Sequence, residues 1–323
     1  MIVNYNAGPV LADCLDAVLW QAAEVVVVDN ASDPQGFEPV IGRFLSHPRL
    51  RLIRSATNLG FAAGCNAGTA LATQPLVFYL NPDCIVAPGA LERLCVALDE
   101  HPGAAMAGGL LTALDGSEQG GGRRAVPTPW RAFVRAFGLA RLSWCWPGMF
   151  DDFHLHREPL PEAPIAVEAI SGACMLIRRA ALAEIGPLDE GYFLHCEDLD
   201  LCMRIRAGGR TILFVPDAPI VHHKGVCSRG RPVFVEWHKH KGMIRFYRKH
   251  FRQRYPSGLM ELVTCGVWLR FSALAAGHLG RRLRDAIRRG RRPAAWGGPL
   301  ETRPAGAEGV VLPIPRVTQP LAS

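Results

Sequence analysis

Residues 1–30, MIVNYNAGPVLADCLDAVLWQAAEVVVVDN, read as a strand, a helix and a second strand. Ile2-Val3 opens the first strand, and Val10, Leu11, Cys14, Leu15, Val18 and Leu19 recur at the spacing of one helix face. Val25 to Val28 is an unbroken β-branched run, the pattern of a strand covered on both sides. The same alternation continues, with a second helix expected near Glu38 to Leu45, a strand at Leu50 to Arg54, a helix from Phe61 to about Ala72, and strands at Leu76 to Leu80 and Ala104 to Leu111. Strands alternating with helices imply right-handed crossovers and an α/β fold, a mostly parallel sheet flanked by helices.

Ligands of such sheets bind beyond the carboxyl ends of the strands, so the residues that follow each strand carry the functional information. They are Asn4-Tyr5-Asn6, then Asp29-Asn30, then Asn81-Pro82-Asp83. Each alone suits a turn, because Asn, Asp and Pro are turn formers; two carboxylates on one rim point further. Between them, residues 58–68 (NLGFAAGCNAG) place Gly60, Gly64 and Gly68 at intervals of four, on one helix face that another backbone or a flat ligand can approach. The spacing is neither a dinucleotide fingerprint nor a P-loop, and packing alone does not account for Asn58 and Asn66.

In the second half, Asp115 to Arg124 (DGSEQGGGRR) reads as a mobile turn or hairpin, and residues 127–165, rich in Pro and aromatics without a clean period, as a variable insertion touching an acceptor. Strands are expected at Val167 to Ile170 and Cys174 to Ile177, bracketing Ser171-Gly172, with a short helix over Arg179 to Glu184. The segment Glu197-Asp198-Leu199-Asp200 lies between an apolar run and a helical pattern, a helix N-terminus where carboxylates are favoured electrostatically. Asp200 either caps this helix or pairs with Arg204. Two further strands, Thr211 to Val215 and Ile220-Val221, lead into His222-His223-Lys224-Gly225.

A basic amphipathic helix is expected over Phe234 to Phe251, and a long apolar one over Leu259 to Leu279. The latter is just long enough to span a bilayer, but Glu261 and Arg270 within it favour a helix lying at the interface over one that crosses, the alternative being a helix docked on the core. The formal net charge of +7 concentrates near the end, in Arg281, Arg282, Arg284, Arg288, Arg289, Arg291 and Arg292, which fits an acidic membrane leaflet. No zinc-finger or aromatic-basic RNA pattern accompanies it, and nucleic acid is not expected as a partner. The 10 cysteines include no C-x-x-C pair, and Cys95, Cys174 and Cys202 sit in apolar patterns, as reduced core residues of a cytosolic protein do. No secretory signal pattern opens the chain, so a cytoplasmic location, peripheral on the inner face of the membrane, is expected. The organisation expected is a catalytic domain over 1–250 (a nucleotide half, 1–111, and an acceptor half, 112–250), a basic helical extension over 251–292, and a disordered tail over 293–323.

Five motifs in order resemble those of the family 2 glycosyltransferases of GT-A fold: Val3-Asn4-Tyr5-Asn6, Val28-Asp29-Asn30-Ala31-Ser32, Asn58-Leu59-Gly60-Phe61 through Asn66, Leu80-Asn81-Pro82-Asp83, and Glu197-Asp198. More narrowly, they resemble the bacterial rhamnosyltransferase-like branch, over residues 1 to about 250. The resemblance implies an inverting transferase that uses a dTDP- or UDP-sugar donor, with L-rhamnose favoured, and a glycan or polyprenyl-diphosphate-linked acceptor.

It also implies roles. Asp29 accepts from the imide N–H of the base beside Tyr5, and Asn4, Asn58, Gly60 and Asn66 line the nucleotide pocket. Asp83 anchors a divalent cation, Mg²⁺ or Mn²⁺, that neutralises the diphosphate leaving group. Many family members carry a carboxylate where this chain has Asn81, which ligates through a neutral oxygen; the N-P-D form is similar to that of the rhamnosyltransferase-like branch. His222, in an H-x-x-G setting, completes the ligand set. Asp198 is the base for the acceptor hydroxyl, while Glu197 with Ser171 and Gly172 orients the acceptor. Two rival readings are a sugar nucleotidyltransferase, which leaves Glu197-Asp198 unexplained, and a non-catalytic nucleotide-sugar-binding scaffold, for which Asn81 speaks.

Overall fold

The computed structural model describes residues 1–136, 139–144, 146, 155–223, 225–226 and 230–288. Lys224, the arginines beyond 288 and the 293–323 tail, for which disorder was expected, lie outside them.

The chain runs β1 (Ile2–Asn4), α1 (Val10–Val18), β2 (Val25–Asp29), α2 (Pro34–Ile41), β3 (Leu50–Arg54), α3 (Phe61–Thr69), β4 (Leu76–Leu80), β5 (Cys84–Val86), α4 (Ala90–Glu100) and β6 (Ala104–Thr112). It continues through β7 (Arg123–Arg124), α5 (Pro129–Ala136), β8 (Ile165–Ala166), β9 (Ala169–Ile170), β10 (Cys174–Arg178), α6 (Arg179–Ile185), α7 (Glu197–Ala207), β11 (Thr211–His222), α8 (Pro232–Phe251) and α9 (Ser257–Arg288).

The main sheet has the order β3-β2-β1-β4-β10-β6-β11-β5, with β8 against β11. β3, β2, β1 and β4 are parallel, β10 runs antiparallel between β4 and β6, and β6 is again parallel to β11. The order reverses beside β1. The first two crossovers build outward to β3 and the third returns to β4, which opens a crevice at the carboxyl ends of β1 and β4.

Side-chain alternation builds two cores. Ile2, Val25, Val27, Phe78, Leu80 and Leu176 pack with α1, α2 and α4, through residues such as Leu11, Leu15, Ile41, Leu94 and Leu98. Val3, Val77, Tyr79, Met175 and Ile177 face α3, α6, α7 and α8, against Ala62, Cys65, Leu182, Leu199, Cys202 and Phe246. Each fully buried Leu or Phe contributes roughly 1.5–3 kcal/mol by leaving water. The described cysteines Cys14, Cys65, Cys84, Cys95, Cys174, Cys196, Cys202 and Cys265 are free, and most are core residues.

Two boundaries differ from expectation. α2 starts earlier than the Glu38 expected, because Asp33 caps it, accepting from Gln35 N–H at 3.2 Å, and Pro34 supplies the first turn. The two strands expected over 211–221 are one, β11, interrupted by an irregularity between Val215 and Pro219. The segment from Asp115 to Arg124 is a hairpin, one of the two forms expected: Thr112 bridges Glu118, and Arg123-Arg124 form β7, paired with β9.

Candidate active site

The carboxyl ends of β1 and β2 carry a closed polar net. The Asn4 amide donates to Asp29 Oδ1 at 3.0 Å and to Ser32 Oγ at 2.9 Å, and Ser32 N–H donates to Asp29 Oδ2 at 3.2 Å. Asn4 and Asp29 are 1% and 5% exposed, so this net holds Asp29 rigidly at the crevice wall. Burial pushes the Asp29 carboxyl up, against the bonds from Ser32 and Asn4. Tyr5 is half-buried just beyond β1. A shallow cavity of about 80 Å³ opens beside it, lined by Asn4, Asn6, Gly8, Gly36 and Phe37. A larger cavity of about 530 Å³ lies at the opposite, amino ends of β1, β2 and β4; apart from Gln21, Glu24, Gln74 and Glu92 its lining is apolar or glycine, and the strand-end groups are elsewhere.

The residues following β3 are committed to scaffold. Asn58 Oδ1 accepts from Gly60 N–H at 2.9 Å, closing the turn into α3. Gly60 has φ +89°, and a Cβ there would sit 2.5 Å from the Phe193 carbonyl oxygen, so only glycine fits. Gly64 and Gly68 face Val3, Val28 and Met1, which settles their spacing as helix-to-sheet packing. Asn66 is bonded to a loop far along the chain. Its amide donates to Leu188 C=O and Glu190 Oε1, each at 2.9 Å, and its Oδ1 accepts from Leu188 N–H at 3.0 Å, latching the loop that leads to Glu197.

Beyond β4 the chain turns tightly. Asn81 N–H donates to Ala173 C=O at 3.0 Å and its own C=O accepts from Cys84 N–H at 3.2 Å, which carries Asp83 to the start of β5. Because β5 pairs with the end of β11, Cys84 opposite His222, Asp83 meets His222: Oδ1 and Nε2 are 3.4 Å apart, with the side chains 5% and 10% exposed. Asp83, Cys84 and His222 offer ligand atoms within 4.8 Å of one another. The Cys84 thiol is oriented to Ala173 C=O at 3.6 Å, leaving a carboxylate and an imidazole, a donor set that suits Mg²⁺ or Mn²⁺ completed by phosphate oxygens. The residues present therefore fit such a cation. His223 donates its backbone N–H to Asp83 C=O at 2.8 Å, and its side chain is not part of this cluster.

At the N-terminus of α7 lie Glu197, Asp198 and Asp200, respectively 5%, 9% and 0% exposed. Asp198 Oδ2 accepts from the Arg124 guanidinium and from Gly172 N–H at 3.0 Å, while Oδ1 accepts from Leu199 N–H at 2.7 Å. Burial opposes the charge on Arg124; the Asp198 carboxylate outweighs it and holds the guanidinium pKa above its ordinary value. A carboxylate accepts about four hydrogen bonds, so roughly one acceptor position remains for an incoming hydroxyl. Glu197 contrasts with it: burial, then the neighbouring Asp198 charge, pushes its carboxyl up to about 8, and its Oε2 has no partner. Asp200 pairs with Arg204 at 2.8 Å, as one of its two expected roles, and also with Lys249 and His250. Burial alone would raise its carboxyl; the hydrogen bonds from His250 and Lys249 and the charges of Arg204 and Lys249 overcome that and hold it well below the usual range.

Ser171 and Gly172 lie beside Asp198. Ser171 N–H donates to Gly122 C=O at 2.9 Å, its Oγ accepts from Ala173 N–H at 3.3 Å, and Gly172 N–H reaches Asp198. Sequence reasoning missed Arg124 and Gln119, which contacts His222. The available signal was two arginines following a glycine run, read only as a loop.

The profile of glycosyl transferase family 2 matches residues 1–186. The chain belongs to that family. It is 29% identical to the N-acetylglucosaminyl-diphospho-decaprenol L-rhamnosyltransferase of Mycobacterium tuberculosis over 306 residues, which cover 90% of this chain and 94% of that one. It is 35% identical to the rhamnosyltransferase WbbL of Escherichia coli over 73 residues, 21% of this chain and 28% of that one. Among solved structures, the mannosyltransferase PcManGT of Pyrobaculum calidifontis, in complex with GDP-Man and Mn²⁺, superposes with a TM-score of 0.51 at 17% identity, covering 88% of this chain and 79% of that one. The protein is thus a glycosyltransferase of GT-A fold, similar to rhamnosyltransferases, which removes the nucleotidyltransferase and scaffold readings.

Proposed function

We propose that this family 2 glycosyltransferase moves a sugar, with L-rhamnose favoured, from a dTDP- or UDP-sugar to a hydroxyl of a glycan or polyprenyl-diphosphate-linked acceptor, with inversion. The observation that carries the reading is the convergence on one sheet rim of a Asp83–His222 pair and of Asp198, held by Arg124 and Gly172. The full-length similarity to a transferase named for a lipid-diphosphate acceptor supports the acceptor class.

Asp83 and His222, with the Asn81 amide oxygen beside them in sequence, would hold Mg²⁺ or Mn²⁺, which when bound neutralises charge developing on the departing nucleoside diphosphate. Asp29, fixed by Asn4, selects the base by accepting from a ring imide N–H, with Tyr5 against the ring. Asp198 takes the proton of the acceptor hydroxyl as that oxygen attacks the anomeric carbon from the side opposite the leaving group, giving inversion. Glu197, neutral at pH 7 by its raised pKa, donates a hydrogen bond to the acceptor.

The chain's own surface supports attachment to the inner membrane leaflet. α9 contains Gly258–Arg284, long and apolar enough to cross a membrane and mostly exposed, and it contacts α8 on one side. Trp237 lies 5.0 Å from Trp268 and 5.5 Å from Phe271 between ring centroids, and Arg282 donates to Gly230 C=O at 3.1 Å. Its outer face exposes Leu262 (69%) and Leu269 (72%), flanked by Arg281, Arg282 and Arg284. An apolar stripe bordered by cations favours lying on an anionic leaflet.

Two measurements test the proposal. Incubation of the protein with a panel of nucleotide sugars and a polyprenyl-diphosphate glycan, with and without Mn²⁺, should release nucleoside diphosphate and extend the acceptor with dTDP-rhamnose above the other donors. Turnover confined to another sugar would refute the donor, and turnover unaffected by chelation would refute the metal. Vesicles of anionic lipid should sediment the protein, and L262S with L269S should abolish this; equal recovery from neutral vesicles would refute the leaflet assignment.

A further inference from the structure

The hairpin after β6 reaches the end of β11 from the side. Ala113 N–H donates to Ser117 C=O at 2.9 Å and Gln119 N–H to Leu111 C=O at 2.8 Å, which close it. Its base is pinned by Arg123, 2% exposed, whose guanidinium grips Glu118 through Nε at 2.8 Å and Nη2 at 3.0 Å, reaches Glu158 C=O at 2.8 Å, and lies 5.2 Å from the Phe214 ring centroid. Gln119 is thereby presented to His222, which it touches twice. Its Nε2 donates to the His222 backbone C=O at 3.2 Å, and its Oε1 lies 2.6 Å from His222 Nδ1.

Donor and acceptor chemistry makes these two contacts decisive. A backbone carbonyl can only accept, so the amide nitrogen of Gln119 must face it. The amide oxygen is then fixed against Nδ1, and because that oxygen can only accept, Nδ1 must carry the hydrogen. In the neutral ring the lone pair therefore lies on Nε2, the atom 3.4 Å from Asp83 Oδ1. In that neutral form Asp83 and His222 present two acceptor atoms to each other, an arrangement that a shared cation stabilises.

We propose that Gln119 is a positioning residue for the reaction. It selects the Nδ1–H tautomer of His222 and aims Nε2, as a ligand, at a divalent cation shared with Asp83. The inference rests on the metal reading given above, and loss of such an outer partner typically weakens metal affinity about 10- to 100-fold.

The test compares wild type, Gln119→Leu and Gln119→Glu, with melting curves confirming that each is folded. Long-range proton–nitrogen NMR of ¹⁵N-histidine protein, assigned through a His222→Gln control, reads the tautomer without metal. Titration of Mn²⁺ followed by electron paramagnetic resonance, with UDP present and no sugar, reads affinity. Wild type should show Nδ1–H at His222; Gln119→Leu should show mixed tautomers and about 10- to 100-fold weaker Mn²⁺ binding. Gln119→Glu, which keeps an acceptor for Nδ1–H, should retain the tautomer and much of the affinity. Pure Nδ1–H with wild-type Mn²⁺ affinity in Gln119→Leu would overturn the role of Gln119. A wild type that shows the expected tautomer but binds no Mn²⁺ would instead overturn the metal reading and leave the control of the tautomer standing.

Discussion

Replacing Glu197 by Gln should stabilise the protein, and the gain should grow with pH. Glu197 is 5% exposed, carries an unpartnered Oε2, and has its carboxyl pushed up to about 8 by burial and then by Asp198. The unfolded chain releases this proton near pH 4.5, whereas the folded chain keeps it until about pH 8. Below the lower value both states hold the proton and no difference accrues. Between the two, the unfolded state binds fewer protons, so stability falls by up to about 1.4 kcal/mol per pH unit. Across the window this approaches 5 kcal/mol as an upper figure, the product of that slope and the separation of roughly 3.5 units. Gln has the shape of the neutral acid and no proton to lose, so it escapes the decline. The assay is a pair of melting curves at pH 5, 6, 7 and 8. The gap between E197Q and wild type should be small at pH 5 and open by several degrees at pH 8, since about 1 kcal/mol moves the midpoint of a chain of this size by about 1–2 °C. A gap that does not change with pH would refute the neutral Glu197 and with it the hydrogen bond it donates to the acceptor.

Asp198→Asn should abolish transfer while UDP affinity, read by calorimetry, stays near wild type; normal turnover would remove Asp198 as the base. Arg124→Met strips Asp198 of its ion pair, whose partners are 21% and 12% exposed, and should cost about 2–3 kcal/mol once solvent screening is allowed for. In that variant kcat should fall with donor KM unchanged, and an unaltered kcat would count against any support of the base by Arg124. Asn66→Ala removes three hydrogen bonds to the loop at Leu188 and Glu190, about 2–3 kcal/mol in all, so amide exchange over residues 186–196 should accelerate; unchanged exchange would show that the latch is not what orders the loop.

Where the fold could be read from sequence, the signal was local. β3 and β4 coincide with the apolar runs at Leu50–Arg54 and Leu76–Leu80, and strand alternation placed Asp29 and Asp83 on one rim. What escaped depends on contacts between distant residues. Gln119 meets His222 across 103 positions, and Arg124 meets Asp198 across 74, neither of which a periodicity encodes. Asn66 shows the same limit in reverse: its polarity was visible, but only the fold reveals that a loop 122 positions away uses it. The turn into α7 was equally hidden. His195 and Cys196 adopt φ of +69° and +73°, conformations usually left to glycine or asparagine, and strain of that kind costs of order 1–3 kcal/mol per residue. Neither residue type announces it.

The hairpin that carries Gln119 and Arg124 acts as a ruler. One end touches His222, proposed above for the leaving-group side, and the other touches Asp198, proposed as the base. The two contacts are thus linked by a few consecutive residues, glycine at 120, 121 and 122 among them. Adding or deleting one residue there would change the span available to the sugar while leaving both cores as they are. A change of donor or acceptor size has, in this segment, a place where it can be tuned by chain length alone.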